Sequence, residues 1–164
     1  SVPVRHFTFE GGRRTGTRKN EKEATIMIRR ISHAQFLDLA NHVLDKIAKE
    51  NGKPVVLCVA DEAGDQVFLM QMDGTPARGG KLAAGKAYTA AQFGRTSTQI
   101  GELCHNMGVA PSEFLLPNVT GVPGGTPIFD KNGVAYGAVG VGGRSAAEDQ
   151  EMADYCAKYL LEKL

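Results

Sequence analysis

Two pairs of short apolar segments, each pair joined by a tight turn, restrict the folds open to this chain more than any other feature. The first pair is Val55–Ala60 with Gln66–Met72, and the second is Thr126–Phe129 with Val134–Val141. Both connections carry Asp and Gly, which are the residues that tight turns favour. Strands joined in this way are neighbours and run antiparallel. The pattern therefore predicts an antiparallel sheet and not a doubly wound parallel one.

Helices are expected before, between and after these strands. Ser32, Thr96 and Ser145 each stand three residues before Gln or Glu, which is the capping-box pattern of a helix N-terminus. Lys81–Phe93, which is rich in Ala and Gly, is predicted as a further helix. The first helix carries an apolar stripe formed by Phe36, Ala40, Val43, Leu44 and Ile47. The predicted fold class is α/β in the α+β sense, with an antiparallel sheet flanked by helices.

Length and charge narrow the classes of protein to consider. The 164 residues suffice for one domain with a sizeable core. A net charge of +1 argues against a nucleic-acid or membrane-surface partner, and no apolar run is long enough to span a bilayer. Residues 1–30 are predicted to be a partly flexible N-terminal extension, because residues 11–23 contain no apolar side chain. Residues 31–164 form the predicted single domain.

The use of cysteine indicates a reducing compartment. Cys58, Cys104 and Cys156 are odd in number and widely spaced, and two of them lie in apolar patterns typical of buried thiols. We therefore expect a cytoplasmic protein. Because the sequence begins at Ser1, secretion after removal of a leader stays open as an alternative.

One lysine and two aspartates are candidate catalytic residues. Lys86 is the only charged side chain between Leu82 and Gly94, so it either extends to water or points into a pocket. Asp61 and Asp73 lie at the polar ends of two apolar strands. If the three side chains converge, Lys86 could bind an acid group or act as a base beside a carboxylate.

A glycine-rich turn precedes the last helix. Gly142, Gly143 and Arg144 lead into this helix, so free backbone amides and the positive end of the helix dipole could hold a carboxylate or a phosphate. An ordinary strand-to-helix turn is the alternative. Gly140 lies inside the preceding strand, where glycine marks a bulge or the close approach of another group to the backbone.

Searches for motifs of well-known chemistry fail. The nucleotide fingerprint G-x-G-x-x-G is incomplete, and the C-x-x-C-H, H-E-x-x-H and G-x-S-x-G patterns are absent. No metal site is predicted. His105 is a weak candidate for a metal or haem ligand, and a surface histidine is the alternative. The neighbouring Cys104 cannot easily share a metal with it, because adjacent residues of a helix point about 100° apart.

Five groups of short motifs occur in a characteristic order. They are Val59-Ala60-Asp61 with Gly64, Met72-Asp73-Gly74, Lys86-Ala87 with Thr89-Ala90, Gly124-Gly125 with Pro127-Ile128, and Gly133-Val134 followed by Gly137–Gly143 and Asp149. From about Ile31 onward the chain thereby resembles the GlcG/HbpS family, which includes the C-terminal domain of PduO-type cobalamin adenosyltransferases. The resemblance implies a profilin-like fold, assembly into homo-oligomers, and a haem or corrinoid-related ligand.

The ligand-binding candidates combine these family positions with residues that the chain itself singles out. They are Met72, Asp73, Gly74, Lys86, Thr89, Ala90, Phe93, Gly124, Gly125, Gly142, Gly143 and Arg144. Tyr88 would add apolar contact in a pocket beside the helix at Lys81–Phe93.

Three functions are compatible with these residues. We favour a ligand-binding module that holds haem, a corrinoid-related molecule or a small organic molecule in a pocket near a subunit interface. One alternative is an enzyme that acts on a small carboxylate or carbonyl compound with Lys86 and Asp61 or Asp73. The other is an accessory or structural protein of a metabolic operon.

Overall fold

A computed structural model of the chain describes residues 31–164. The N-terminal extension expected over residues 1–30 lies outside the described residues. The elements follow in the order α1 (His33–Glu50), β1 (Val56–Ala60), β2 (Gln66–Gln71), α2 (Gly79–Phe93), α3 (Ser97–Met107), a 3-10 turn (Pro111–Phe114), β3 (Gly125–Phe129), β4 (Ala135–Gly142) and α4 (Ala146–Glu162).

The four strands form one sheet with the order β2-β1-β4-β3. Every neighbouring pair is antiparallel, which confirms the predicted fold class. The hairpin partners are β1 with β2 and β3 with β4, as the two tight turns predict. Strand β1 lies inside the sheet, where Cys58 faces Leu69 of β2 on one side and Gly140 of β4 on the other.

Helices cover both faces of the sheet. On one face Leu57 and Val59 of β1, with Val55 just before the strand, belong to a core that includes buried side chains of α1 and α4. On the other face Val56, Cys58 and Ala60 pack against Ala83 and Ala87 of α2. Because successive residues of a strand point to opposite faces, the continuous apolar run of β1 serves both layers.

The apolar stripe of α1 differs from the prediction at one residue. Leu44 is exposed, with 38% of its surface accessible, whereas Leu39 is completely buried. The buried side of the helix is centred on Leu39 and Val43, which both have no accessible surface. Leu44 follows Val43 and is turned about 100° further around the helix, toward solvent. The helical spacing of apolar residues alone does not show which side of a wide apolar surface on α1 packs against the sheet.

Helix α2 lies unusually close to the sheet because glycine stands beneath it. A Cβ atom at Gly140 would lie 2.0 Å from the carbonyl oxygen of Ala83, and one at Gly125 would lie 2.3 Å from that of Lys86. Only glycine lets the backbone of α2 approach β3 and β4 so closely. The predicted close approach at Gly140 is therefore confirmed, and the approaching group is α2.

The three predicted capping boxes are present at the starts of α1, α3 and α4. The capping box of α4 also changes the pKa of Glu148. The hydroxyl and the backbone amide of Ser145 both donate to the Glu148 carboxylate, and these hydrogen bonds lower the pKa of Glu148. A lowered pKa means that these bonds stabilise the fold above the ordinary pKa of glutamate. That contribution is lost as the pH falls through the lower pKa of the folded protein.

Replacing the capping hydroxyl tests this coupling directly. In Ser145→Ala we expect the pKa of Glu148 to rise toward its ordinary value, because the largest cause of its shift is removed. An NMR titration of the side-chain carboxyl carbon measures the change. The matched control is Thr96→Ala, which removes the same cap from α3. An equal rise of the Glu148 pKa in both variants would contradict the local explanation.

Candidate functional site

Lys86 lies on α2 and is completely buried. Its ammonium donates to the carbonyl oxygen of Val141 at 2.7 Å and to Oδ2 of Asp149 at 2.8 Å. Oδ1 of Asp149 accepts from the backbone amide of Arg144 at 3.0 Å. Of the two orientations left open by the sequence, the lysine thus adopts the inward one. A buried charge is tolerated in this way only when it is paired and hydrogen-bonded.

The carboxylate that pairs with Lys86 differs from the two that the sequence suggested. Asp61 accepts hydrogen bonds from the amides of Ala63 and Asp65, so it serves the turn between β1 and β2. Asp73 is exposed. Neither aspartate of the expected catalytic set pairs with Lys86, whose carboxylate partner is Asp149.

The sequence did contain a signal for this partner. The buried side of α4 includes Met152, Cys156 and Leu160, and Asp149 continues that spacing toward the N-terminus of the helix. An acidic residue on the buried side of a helix requires a cation or several hydrogen-bond donors. Lys86, a lone charge in an apolar helix, required a carboxylate in the same way.

A cavity of about 180 Å³ opens beside this ion pair, between the N-termini of α2 and α4. We call it the arginine cavity, and it is lined by Pro76, Arg78, Gly79, Leu82, Lys86, Val122, Gly143, Arg144, Ala146 and Asp149. It brings together three residues predicted from the sequence: Lys86, Gly143 and Arg144. The guanidinium of Arg144 also donates to the carbonyl oxygen of Lys53, which holds its side chain in place.

A larger groove of about 480 Å³ runs along another side of α2. We call it the tyrosine groove, and it is lined by Ala60, Gly64, Asp65, Gln66, Lys81, Ala84, Gly85, Tyr88 and Asn118. Lys81 and Tyr88 lie well over a quarter turn around the helix from Leu82 and Lys86, so α2 separates the two cavities. Among these residues, the sequence analysis predicted a ligand contact only for Tyr88, and it named Ala60 and Gly64 only as family motif positions.

Several predicted ligand residues lie in the layer that joins α2 to the sheet. The amide of Gly124 donates to the Gln150 side chain at 2.9 Å. The Thr89 hydroxyl donates to the carbonyl oxygen of Gly85 at 2.8 Å and accepts from the amide of Thr120 at 2.9 Å. Three more predicted residues are buried nearby: Ala90, Gly125 and Gly142. These contacts give each of them a role in packing.

The remaining predicted ligand residues are spread more widely. The Phe93 ring contacts that of Phe114 edge to face, with 5.1 Å between centroids. The Met72 sulfur accepts from the amide of Val55 at 3.4 Å. Asp73 and Gly74 are exposed in the turn that follows β2. Within residues 31–164 of one chain, the arginine cavity is lined by three of the twelve predicted residues and the tyrosine groove by none of them.

No cluster of three or more His, Cys, Asp or Glu side chains suited to a metal ion occurs within residues 31–164. His105 is exposed, whereas Cys58, Cys104 and Cys156 are all buried free thiols. Burial raises the pKa of the Cys58 and Cys156 thiols to about 12, so neither is a thiolate at neutral pH. In the same part of the chain, no helix combines the length and apolar character needed to cross a bilayer.

Comparison with solved structures confirms the architecture. The ORFY protein of Klebsiella pneumoniae is 26% identical with a TM-score of 0.70, over 82% of this chain and 92% of that one. A complex of PduOC with haem is 20% identical with a TM-score of 0.69, over 79% and 94% of the two chains. A double mutant of Streptomyces reticuli HbpS is 19% identical with a TM-score of 0.67, over 94% and 99%.

The comparison with protein families is more specific than these structural similarities. A search of curated proteins found no match to the chain. A family model described as haem degrading protein HbpS-like matches residues 31–158, which is most of the sequence. This range begins where the motif resemblance begins and includes both cavities beside α2. The chain therefore belongs to the HbpS-like family.

Proposed function

We propose that this chain is a haem-binding module and that haem occupies the tyrosine groove. The family is described by its action on haem, and a structure with the same fold is a haem complex. The corrinoid-related alternative receives no support from these relatives, because the ligand named in that complex is haem. Assembly into a homo-oligomer remains a prediction from the family resemblance.

The size and the floor of the tyrosine groove fit a large flat ligand. Its volume of about 480 Å³ falls within the roughly 300–1,000 Å³ typical of ligand pockets. The arginine cavity, with about 180 Å³, is too small for a macrocycle of that class. Ala60, Ala84 and Gly85 line the larger groove with small side chains, so a planar ligand can approach the backbone closely.

The proposal rests mainly on the hydroxyl and the ring position of Tyr88. Its hydroxyl makes no hydrogen bond within residues 31–164, and it is open to solvent in the groove, because no buried polar side-chain atom of these residues lacks a partner. Its ring is held from behind, because a Cβ atom at Gly64 would lie 2.8 Å from Cδ2 of Tyr88. A positioned phenol with a free oxygen is an established type of axial ligand for haem iron. We therefore assign Tyr88 as the iron ligand.

Lys81 supplies the second polar contact that haem requires. This exposed lysine lines the groove and forms no ion pair with any described residue. Its ammonium could pair with a propionate of haem bound in the groove. When bound, haem contributes the redox chemistry of its iron, whereas the protein orients the macrocycle and shields one side of it from water.

The described histidines are less suitable iron ligands. The His42 ring is stacked on Tyr159 with 4.0 Å between centroids, and it hydrogen-bonds to the hydroxyl of Tyr155. His33 and His105 are exposed, and neither lines the tyrosine groove. Tyr88 is therefore the side chain that combines a haem-sized groove with a free coordinating atom.

Titration of the full chain with haemin tests the proposal. The wild-type protein is expected to produce a shifted Soret band that saturates at one haemin per chain. In Tyr88→Phe we expect the affinity to fall by roughly 10–100-fold and the spectrum to change, because the iron loses its phenolate ligand. The control is Tyr136→Phe, which removes the hydroxyl of another half-buried tyrosine, outside the groove.

A second pair of variants tests the groove separately from the ligand. Ala84→Leu fills the groove, whereas Ala91→Leu makes the same change on the same helix outside the lining. We expect only the first to weaken haemin binding. An unchanged affinity and spectrum in Tyr88→Phe would refute the iron ligand. Unchanged binding in Ala84→Leu would refute the groove as the haem site.

A further inference from the structure

We infer that the arginine cavity is a second ligand site, which takes a small carboxylate with a short apolar stem. It lies apart from the proposed haem groove and does not depend on that proposal. Its wall includes the buried ion pair of Lys86 with Asp149, in which Lys86 has no accessible surface, together with the exposed Arg78. A ligand in the cavity would therefore meet Arg78, while the buried pair holds the wall in place.

The charges in the cavity leave an excess of positive charge. Arg78, Arg144 and Lys86 line it together with one carboxylate, that of Asp149, and Glu148 outside the lining interacts electrostatically with Arg144. Both oxygens of Asp149 are engaged, one by the Lys86 ammonium and one by the amide of Arg144. An ammonium has three hydrogens, and Lys86 uses two of them on Asp149 and Val141. Because Lys86 has no accessible surface, the cations open to a ligand are the exposed Arg78 and the half-buried Arg144.

The start of α2 adds donors of the same kind. Among the four α-helices of residues 31–164, α2 alone has no side-chain cap at its N-terminus, where Arg78 occupies the N-cap position. The amide of Gly79 donates to the carbonyl oxygen of Pro76 at 2.8 Å, whereas the amides that follow it in the first turn have no capping side chain. Arg78 is exposed and forms no ion pair with a described residue, so its guanidinium is free to bind an acid group.

The apolar residues that line the arginine cavity indicate what kind of stem should carry the acid group of the ligand. Pro76, Leu82 and Val122 are apolar, and Val122 is 41% exposed. An apolar stem of a few carbons would cover these side chains while the acid group lies against the cations. The volume of about 180 Å³ leaves room for a molecule much smaller than haem. Inorganic phosphate matches the cations but has no stem for the apolar wall.

The experiment compares acetate, butyrate and phosphate on the full chain without haemin, with binding followed by the NMR shifts of the first-turn amides of α2. We expect butyrate to bind several-fold more tightly than acetate, and phosphate to bind more weakly than butyrate. Arg78→Gln should weaken butyrate binding roughly tenfold, as expected for loss of one charge-assisted hydrogen bond. The control is Arg95→Gln, another exposed arginine, outside the cavity.

Two further variants separate this site from the haem site. Val122→Ser should reduce the preference for butyrate over acetate, because it removes part of the apolar wall. Tyr88→Phe should leave butyrate binding unchanged, and Arg78→Gln should leave haemin binding unchanged. Equal binding of phosphate and butyrate, or equal effects of Arg78→Gln and Arg95→Gln, would overturn the assignment.

Discussion

Asp149→Ala is expected to destabilise the fold by about 3–5 kcal/mol, because it leaves a buried lysine without its counter-charge. Lys86 and Asp149 are each almost completely buried, with 1% and 4% of the side-chain surface accessible. The substitution also removes the acceptor of the Arg144 amide at the start of α4. Unfolding by urea, followed by circular dichroism, measures the change in the free energy of unfolding.

A double variant and a surface variant serve as controls. In Lys86→Met with Asp149→Leu both charges are removed, so we expect most of the lost stability to return. Glu50→Gln breaks the exposed ion pair with Lys46 and should cost at most about 1 kcal/mol. A double variant no more stable than Asp149→Ala would show that the cost arises from lost packing and not from an unpaired charge.

Gly140→Ala is expected to have a second large effect, through steric overlap. The added Cβ atom would lie 2.0 Å from the Ala83 carbonyl oxygen and 2.6 Å from the Ala87 nitrogen. Both atoms belong to the backbone of α2, so no side-chain rotation relieves the overlap and the whole helix must move. We expect a loss of at least about 3 kcal/mol, at or above the upper end of the usual cost of overpacking.

Gly142→Ala is the matched control, two residues further along the same strand. The nearest atom to its added Cβ is 3.6 Å away, which is an ordinary contact. We therefore expect a change within about 1 kcal/mol. Equal unfolding midpoints for the two variants would contradict the close approach of α2 to β4. Because both proposed sites lie on α2, Gly140→Ala should also weaken the binding of haemin and of butyrate.

The pairing of Lys86 with Asp149 bears on the alternative that this protein is an enzyme with Lys86 in its catalytic set. The Lys86 ammonium is engaged by the Asp149 carboxylate and by the Val141 carbonyl oxygen. Asp61 accepts two turn amides through Oδ1 and does not pair with Lys86. Acid–base chemistry at Lys86 would therefore require the buried pair with Asp149 to open.

Local features of the sequence were sufficient to predict the elements and the class of the fold. Turn residues, capping boxes and short apolar runs act between residues that are only a few positions apart. They consequently placed the helix starts at Ser32, Thr96 and Ser145 and paired the strands correctly. Gly140 likewise indicated a close approach, because glycine within a strand has few other reasons to occur.

Tertiary structure alone decided which side chains meet. Lys86 and Asp149 are 63 residues apart, and no local spacing relates them. The tyrosine groove lies between α2, the β1–β2 turn and Asn118. These segments meet there because of the way α2 lies across the sheet. The sequence thus determined which residues require a partner or a close neighbour. The identity of that partner depended on packing, because contacts between distant segments are set by the whole arrangement of the layers and not by local periodicity.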